Sequence, residues 1–316
     1  MNNSANHNLH IPVLLHESIE SLAVKKSGIY IDATFGYGGH SQHILNKLGN
    51  DGKLICIDQD EETIEIMSQM AATDNRIIFR HGSFTNLAIW VKELGLQNKI
   101  DGILFDLGVS SPQLDRAYRG FSFLKDGPLD MRMDRSKALH ASKWLQDADK
   151  NEIIKILKEF GEEKYCKRIA NAIIASRRIN PILTTKELVN IIRKVYPIKG
   201  KSKIHFATRT FQAIRIFINN ELTALANCLE QCINILSLEG RIVMISFHSL
   251  EDKIIKNFIS EYSGKTLPKN LPMKHHVFLE YVKLQQIGRT IHPTAQEIEN
   301  NSRSRSARLR IVQRVR

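Results

Sequence analysis

Apolar runs that end in an acid recur along the first part of the chain and predict parallel strands. Few polar residues interrupt each run, as expected of strands buried on both faces of a sheet. Stretches with helical periodicity separate the runs, so strands and helices alternate. The predicted strands cover residues 28–31, 53–57, 76–80, 100–105 and 241–247. Asp32, Asp58 and Asp106 follow three of these strands and are expected to line one rim of the sheet.

The alternation of strands and helices stops after Leu114 and resumes near residue 215. Between these points, apolar residues recur at helical spacing over 149–178 and 185–195. The pattern predicts an α/β fold of the Rossmann-like type with an inserted helical domain. The α/β domain is expected to comprise residues 1–114 and 215–316, and the insertion residues 115–214.

The C-terminal part of the chain predicts one long helix over 210–238, ended by a glycine. After the next strand, Ser249 and Asp252 have the spacing of a capping box at a helix start. Segment 263–300 has little periodicity and is expected to include loops. The residues from 301 to 314 alternate in polarity towards their end and predict a final edge strand.

Three glycines follow the first predicted strand, where the chain turns into a helix. A dinucleotide-binding loop needs glycines at its first, third and sixth positions, and Gly36 and Gly38 fit whereas Ser41 occupies the sixth. Asp32 would also repel a pyrophosphate. Asp58, twenty residues after Gly38, can accept both hydroxyls of a ribose. An adenosine with a cationic tail, S-adenosylmethionine (SAM), satisfies both observations; an ordinary glycine-rich turn with solvated acids is the alternative.

The order of the elements places further residues near this ligand. Phe84 follows the third strand, where its ring could lie against an adenine, although a core phenylalanine is as common. Asp106 and segment 110–112 follow the fourth strand, where enzymes that methylate exocyclic amines hold the target nitrogen with carboxylate and carbonyl acceptors. A loop capped by serine and proline is the alternative reading of that segment. His248 follows the fifth strand and either faces the substrate or has a structural role at a helix start.

The formal net charge of +12 indicates an anionic partner, of which nucleic acid is the commonest. Seven basic residues without an acid between them lie at the end of the insertion, and six arginines without an acid follow Asn300. Each run is expected to bind RNA phosphates, with a solvated charged surface as the alternative. The first run consists of Arg193, Lys194, Lys199, Lys201, Lys203, Arg209 and Arg215.

The cysteines and the apolar segments indicate the compartment. Cys56, Cys166, Cys228 and Cys232 form no C-x-x-C pair, which is typical of buried thiols in a reducing cytosol rather than of disulfides or a metal site. No apolar run has the length of a membrane span, and the polar start lacks a secretory signal. We expect a cytoplasmic protein without a bound metal.

Several long stretches resemble one family closely: 32–41, 101–115, 119–123, 126–134, 207–213 and 246–252. This is the RsmH (MraW) family of bacterial SAM-dependent methyltransferases, which modify the exocyclic N4 of a cytidine in the decoding region of 16S ribosomal RNA. The resemblance implies a class I methyltransferase that releases S-adenosylhomocysteine and acts on 16S rRNA, with the small ribosomal subunit as the expected setting. It implies SAM-binding roles for Gly38, Gly39, His40, Asp58, Phe84, Asp106 and Gln113, of which His40 and Gln113 rest on the resemblance alone. Asp106 and His248 are the candidate catalytic residues.

Two other classes of protein compete with this interpretation. An NAD-dependent dehydrogenase would need the sixth-position glycine that Ser41 replaces. A ribosome-assembly factor without catalytic activity would have the basic RNA-binding surface but would not bind SAM. A methyltransferase acting on cytosine C5 is disfavoured, because no nucleophilic cysteine follows the fourth strand.

Overall fold

The computed structural model describes residues 12–196, 204–264 and 282–316. The chain separates into two compact units, one comprising Met1–Gly108 with Thr223–Arg316 and the other Val109–Leu222. The insertion predicted over residues 115–214 lies inside the second unit. Lys199, Lys201 and Lys203 of the predicted basic run lie outside the described residues.

The first unit is built on one seven-stranded sheet. Its strands are β1 (Ile29–Asp32), β2 (Lys53–Asp58), β3 (Ile77–His81), β4 (Ile100–Asp106), β5 (Leu236–Ser246), β6 (Leu284–Ile291) and β7 (Arg308–Arg314). They lie in the order β3-β2-β1-β4-β5-β7-β6, and β7 runs antiparallel to both of its neighbours while the other pairs are parallel. The predicted Rossmann-like α/β fold is confirmed. The parallel strands end at the same edge, which brings Asp32, Asp58 and Asp106 to that edge.

Helices cover both faces of this sheet. The helices within the described residues are α1 (Leu15–Leu22), α2 (Gly39–Lys47), α3 (Ile64–Thr73), α4 (Leu87–Glu93), α5 (Ser111–Asp115), α6 (Ala141–Asp147), α7 (Lys150–Gly161), α8 (Cys166–Arg177), α9 (Thr185–Val195), α10 (Thr208–Asn219), α11 (Glu221–Ile235), α12 (Ser249–Tyr262) and α13 (Ala295–Asn300). Successive strand residues point to opposite faces. Ile31 and Phe105 therefore join a core with α4, α11 and α12, whereas Tyr30 and Leu104 join a second core with α1, α2 and α3. Within the described ranges, none of the helices has the length and apolarity that crossing a membrane requires.

The second unit is helical, as the periodicity of the insertion predicted. Helices α6 to α10 surround one apolar core. The stretch predicted to be helical over 149–178 contains two helices, because the chain turns through a left-handed residue at Glu162 (φ 48°). Thr184 and Glu187 form a capping box at the start of α9.

The prediction of one long helix over 210–238 is wrong in two respects. Asn220 adopts a left-handed conformation (φ 51°) and separates α10 from α11, a role for which asparagine is suited. Strand β5 then begins at Leu236, directly after α11. Gly240 does not end a helix but lies where the pairing of β5 with β4 is irregular.

One prediction about the end of the chain is also wrong. The described part of segment 263–300 includes loops, as predicted, but it also contains β6 and α13. The last strand was predicted to lie at the edge of the sheet, whereas β6 is the edge strand and β7 lies inside the sheet between β5 and β6. Because most residues of an edge strand remain partly exposed, β6 has no continuous apolar run that would have marked it.

Candidate active site

The loop between β1 and α2 depends on its glycines. Gly36 and Gly38 have φ values of +56° and +79°, a conformation that other residues rarely adopt. Gly38 is the residue before the first turn of α2. A Cβ atom on Gly39 would lie 2.3 Å from Cγ of Pro12, so the ring of Pro12 leaves no room for a side chain at position 39. The backbone of this loop is therefore fixed in a tight turn at the edge of the sheet.

Asp32 supports this loop from inside. Its side chain is buried, with a residue exposure of 1%. Oδ2 accepts a hydrogen bond of 2.7 Å from Ser41 Oγ, and Oδ1 accepts one of 3.2 Å from the Thr34 backbone. Burial raises the pKa of the Asp32 carboxyl to about 6. Asp32 lies at the predicted rim, and both of its oxygens accept hydrogen bonds within the loop.

Asp58 ends β2 and is half-buried. Its Oδ2 accepts a hydrogen bond of 2.7 Å from the backbone of Gly36, and its Oδ1 accepts one of 2.8 Å from the backbone of Asp60. Burial raises the pKa of Asp58 to about 6, although these two backbone groups favour the charged form. Each carboxylate oxygen can accept a second hydrogen bond. The two oxygens can thus hold a pair of neighbouring hydroxyls.

Asp106 ends β4, and its backbone N–H donates a hydrogen bond of 2.7 Å to Thr34 Oγ1. Its Oδ1 is buried and has no hydrogen-bond partner among the described residues. Burial raises the pKa of Asp106 well above its usual value, and the negative charges of Asp32 and Glu251 raise it further. A buried acceptor without a donor costs free energy, so this oxygen is suited to a donor that arrives with a ligand.

His40 lies in the first turn of α2 and is almost fully buried. Its Nε2 is 3.3 Å from Ser18 Oγ, and its Nδ1 is 3.7 Å from Asp106 Oδ2. Because the Ser18 hydroxyl donates its proton to the carbonyl of Leu14, the imidazole must donate in the contact with Ser18. Burial lowers the pKa of His40 to about 4, so the ring is neutral at pH 7 and forms no ion pair with Asp106.

Phe84 begins a short 3-10 helix, Phe84–Asn86, that follows β3. Its ring meets Phe105 edge to face, with centroids 5.8 Å apart. A side chain of α11 stabilises this turn. Gln231 donates a hydrogen bond to the carbonyl of Thr85 (3.0 Å) and accepts one from the backbone of Ala88 (3.1 Å). No local sequence pattern predicts this support, since Gln231 lies far from the turn along the chain.

His248 precedes α12 and has a structural role there. It is the N-cap residue, and its Nδ1 accepts a long hydrogen bond (3.4 Å) from the backbone of Glu251. Glu251 in turn accepts from the backbone of Phe247 at 2.8 Å. The capping box therefore pairs His248 with Glu251, and the prediction that Ser249 and Asp252 form it is wrong. A catalytic role for His248 stays a prediction.

Gln113 belongs to the second unit, where α5 begins. Its side-chain Oε1 accepts a hydrogen bond of 2.9 Å from the Ser110 backbone, and the Ser110 hydroxyl accepts one of 3.4 Å from the Gln113 backbone. This reciprocal capping box includes Pro112 in the first turn. The assignments of Gln113 to SAM and of segment 110–112 to the target nitrogen stay predictions.

Part of the predicted RNA-binding arginine tail is used within the first unit. Arg308 and Arg310 donate to the buried carboxylate of Asp252, at 2.8 and 2.7 Å. Arg314 donates to Asn98 at 2.7 Å and to the carbonyl of Leu236. These three arginines stabilise the C-terminal strand, and the RNA contact predicted for the six arginines after Asn300 stays a prediction. In the first basic run, Arg215 is likewise paired with Glu221 at 2.7 Å.

Comparison with known sequences finds one family over almost the whole chain. The sequence model of the MraW methylase family matches residues 7–315. A ribosomal RNA small subunit methyltransferase H from Alteromonas mediterranea is 51% identical over 97% of this chain and 97% of its own length. Relatives with the same name from Hamiltonella defensa and Shewanella baltica are 49% and 48% identical, covering 98% and 97% of this chain and 99% and 97% of their own lengths.

Solved structures with low sequence identity also align with the chain. An rRNA methylase from Streptococcus thermophilus aligns with a TM-score of 0.44 and 11% identity, over 96% of each chain. A SAM-dependent O-methyltransferase from Thermotoga maritima aligns with a TM-score of 0.40 and 8% identity, over 96% of this chain and 64% of its own.

Proposed function

The chain belongs to the MraW methylase family, and on that premise we propose that it transfers a methyl group from SAM to the exocyclic N4 of a cytidine in the decoding region of 16S ribosomal RNA. Its relatives are named as methyltransferases of the small-subunit ribosomal RNA. The choice of cytidine N4 and of the decoding region comes from the resemblance of the motifs and from the chemistry of the site.

The observation that carries the proposal is the pair of half-buried carboxylates beside a glycine loop at the end of β1. Asp58 offers two oxygens for the ribose hydroxyls, and Asp106 offers a buried Oδ1 without a partner among the described residues. In this proposal Phe84 contacts the adenine, and the glycine backbone at Gly38 and Gly39 lets the donor approach closely. These residues fit a nucleoside with a positive charge, because the nearby acids favour a cation.

SAM supplies an electrophilic methyl group on a positively charged sulfur. Asp106 accepts a hydrogen bond from the N4 amine, which favours the pyramidal nitrogen that attacks a methyl carbon. Thr34 fixes the backbone of Asp106, and neutral His40 adds no positive charge that would compete for its carboxylate. No strong base is needed, since the amine proton becomes acidic once transfer begins. The raised pKa of Asp106 makes its carboxylate a better acceptor for that proton.

The substrate in this proposal is a cytosine that is not stacked in a helix, because an amine within paired RNA cannot reach the methyl donor. We place the protein on the RNA of the small ribosomal subunit in the cytoplasm. The four cysteines are all free and buried, in agreement with a reducing compartment.

The test is mass mapping of small-subunit rRNA from cells that lack this protein. We expect one cytidine of the decoding region to lose a single methyl group on N4. Wild-type protein should restore it, and the Asp58→Ala variant should not. A deletion strain with an unchanged set of cytidine modifications would refute the proposal, as would purified protein that takes up no labelled SAM.

A further inference from the structure

A row of aromatic rings runs through the second unit. Adjacent ring centroids in this row are between 4.2 and 5.9 Å apart. His205 is exposed and the other members are half-buried. We call this the aromatic row: its members in spatial order are Phe123, His205, Phe206, Tyr196 and Tyr165. At one end, Phe123 packs edge to face on Phe211, which is buried in the helical core.

Hydrogen bonds hold several of these rings in place. Glu163 is buried and accepts from the hydroxyl of Tyr196 at 2.8 and 2.9 Å and from the backbone of Tyr165 at 2.9 Å. His205 accepts from the backbone of Ala207 at 3.3 Å. The row is thus largely preorganised, which lowers the entropic cost of binding a flat ligand.

The ring of His205 behaves as a neutral aromatic surface. It lies parallel to Phe123, with 5° between the planes and 4.6 Å between the centroids. Partial burial and the nearby charge of Arg193 lower the pKa of His205. With Nδ1 accepting from Ala207, Nε2 carries the proton and can donate to a base or a phosphate.

Arginines flank the row. The guanidinium of Arg168 lies 5.8 Å from the centroid of Tyr165. Arg193 and Arg209 lie near enough to influence the pKa values of His205 and Tyr196. The sequence has no aspartate or glutamate from Leu188 to Asn220, and the carboxylate of Glu163 already accepts from two donors, the Tyr196 hydroxyl and the Tyr165 backbone. The charge around the row therefore favours an anionic partner.

We propose that the aromatic row stacks unpaired bases of the RNA substrate while Arg168, Arg193 and Arg209 hold its phosphates. This inference rests on the proposed function and identifies the surface by which the helical unit binds RNA. Aromatic rings alternating with cations are typical of proteins that bind single strands, because every base has a flat face to stack. In a duplex these faces are already occupied by neighbouring bases. A protein partner with an acidic surface would bind the arginines but would have no flat bases to stack on the rings.

The test measures binding of a short fluorescein-labelled single-stranded oligoribonucleotide to the full chain by anisotropy, next to the same strand paired with its complement. His205→Ala should weaken binding of the single strand about tenfold, the loss expected for one base stack. His205→Phe keeps an aromatic ring and should bind as wild type does. Duplex binding should change little in either variant.

Two arginine variants separate a local contact from general charge. Arg193→Gln should weaken single-strand binding and make it less dependent on salt. Arg178→Gln is the matched control, because it removes an equal charge at the other end of α8 from Arg168, about 15 Å away. SAM affinity and the thermal unfolding temperature of each variant should match wild type.

The results also separate this inference from the proposed function. Wild-type affinity of His205→Ala for the single strand, or an equal loss on single strand and duplex, would overturn the stacking role. If His205→Ala bound RNA normally and lost activity only on assembled subunits, the aromatic row would contact a ribosomal protein. That result would also overturn the inference. A wild-type protein that binds the strand in the predicted way but methylates no cytidine would overturn the proposed function and leave the aromatic row intact.

Discussion

The backbone N–H of Gly36 donates a hydrogen bond of 2.7 Å to Oδ2 of Asp58, and so ties the glycine loop after β1 to the end of β2. The residue proposed to bind the ribose therefore also holds the glycine loop. This bond joins a glycine with positive φ to an acid that follows a different strand.

Asp58→Ala should raise the dissociation constant for SAM at least tenfold, because two charge-assisted hydrogen bonds to hydroxyls are lost and the loop loses its acceptor. Titration calorimetry measures this directly. Asp51→Ala is the control, since Asp51 is an exposed acid just before β2. An unchanged affinity in Asp58→Ala would contradict the ribose assignment.

Asp32 should make stability depend on pH. Its pKa is about 6 in the folded protein and 3.8 when unperturbed, so between pH 4 and pH 6 the folded state binds more protons than the unfolded state at this site. The free energy of unfolding then falls as pH rises through this window. Asp32→Asn removes that loss and should gain up to about 3 kcal/mol relative to wild type between pH 4 and pH 7.

Urea denaturation of Asp32→Asn and wild type across this range tests the effect. The exposed Asp51→Asn provides the reference for an ordinary aspartate. If the difference in unfolding free energy between Asp32→Asn and wild type stayed constant with pH, the buried carboxyl would not titrate as described.

Asp106 should control the pH dependence of the rate. Its carboxyl has a raised pKa, and only the ionised form accepts a proton from the amine. At saturating SAM and RNA, single-turnover methyl transfer should therefore rise with pH until Asp106 is ionised. Asp106→Asn keeps the backbone bond to Thr34 and should lower the rate at least tenfold with a flat profile. A wild-type rate in Asp106→Asn would exclude this residue from the chemistry.

Asp252 should matter for stability rather than for RNA binding. It is buried between Arg308 and Arg310, and although burial raises its pKa, the two arginines lower it below the usual value. Asp252→Ala leaves these arginines without their acid and should cost about 3 to 5 kcal/mol of unfolding free energy. Arg310→Gln should also destabilise the fold, whereas Arg305→Gln on the exposed Ser302–Ser306 turn should not. Equal stability of all three variants would contradict a stabilising role for the ion pairs of Asp252 with Arg308 and Arg310.

The strands at the centre of the sheet were predictable because of their burial. β1, β2 and β4 are covered on both faces, so each appears in the sequence as an apolar run followed by an acid. The position of these acids at one edge follows from parallel pairing, which the alternation of strands and helices implies. The glycine loop was predictable because its residues have special backbone conformations.

Edge and antiparallel strands were not predictable in the same way. β6 is partly exposed and carries no apolar run. No local sequence feature indicates that β7 lies between β5 and β6 rather than at the edge of the sheet. The break at Asn220 had a signal in the residue type, but the helical periodicity on both sides concealed it.

The sequence by itself determined the central strands of the sheet, the glycine loop after β1 and the family to which the chain belongs. Only the tertiary structure decided which acid is accessible to a ligand, because Asp32 and Asp58 follow similar strands and each accepts two hydrogen bonds, but Asp32 is buried whereas Asp58 is half-buried. It also decided that Arg308 and Arg310 serve the fold, since their partner Asp252 is distant in the chain. A charge pattern is local, whereas the partner that neutralises it is set by packing.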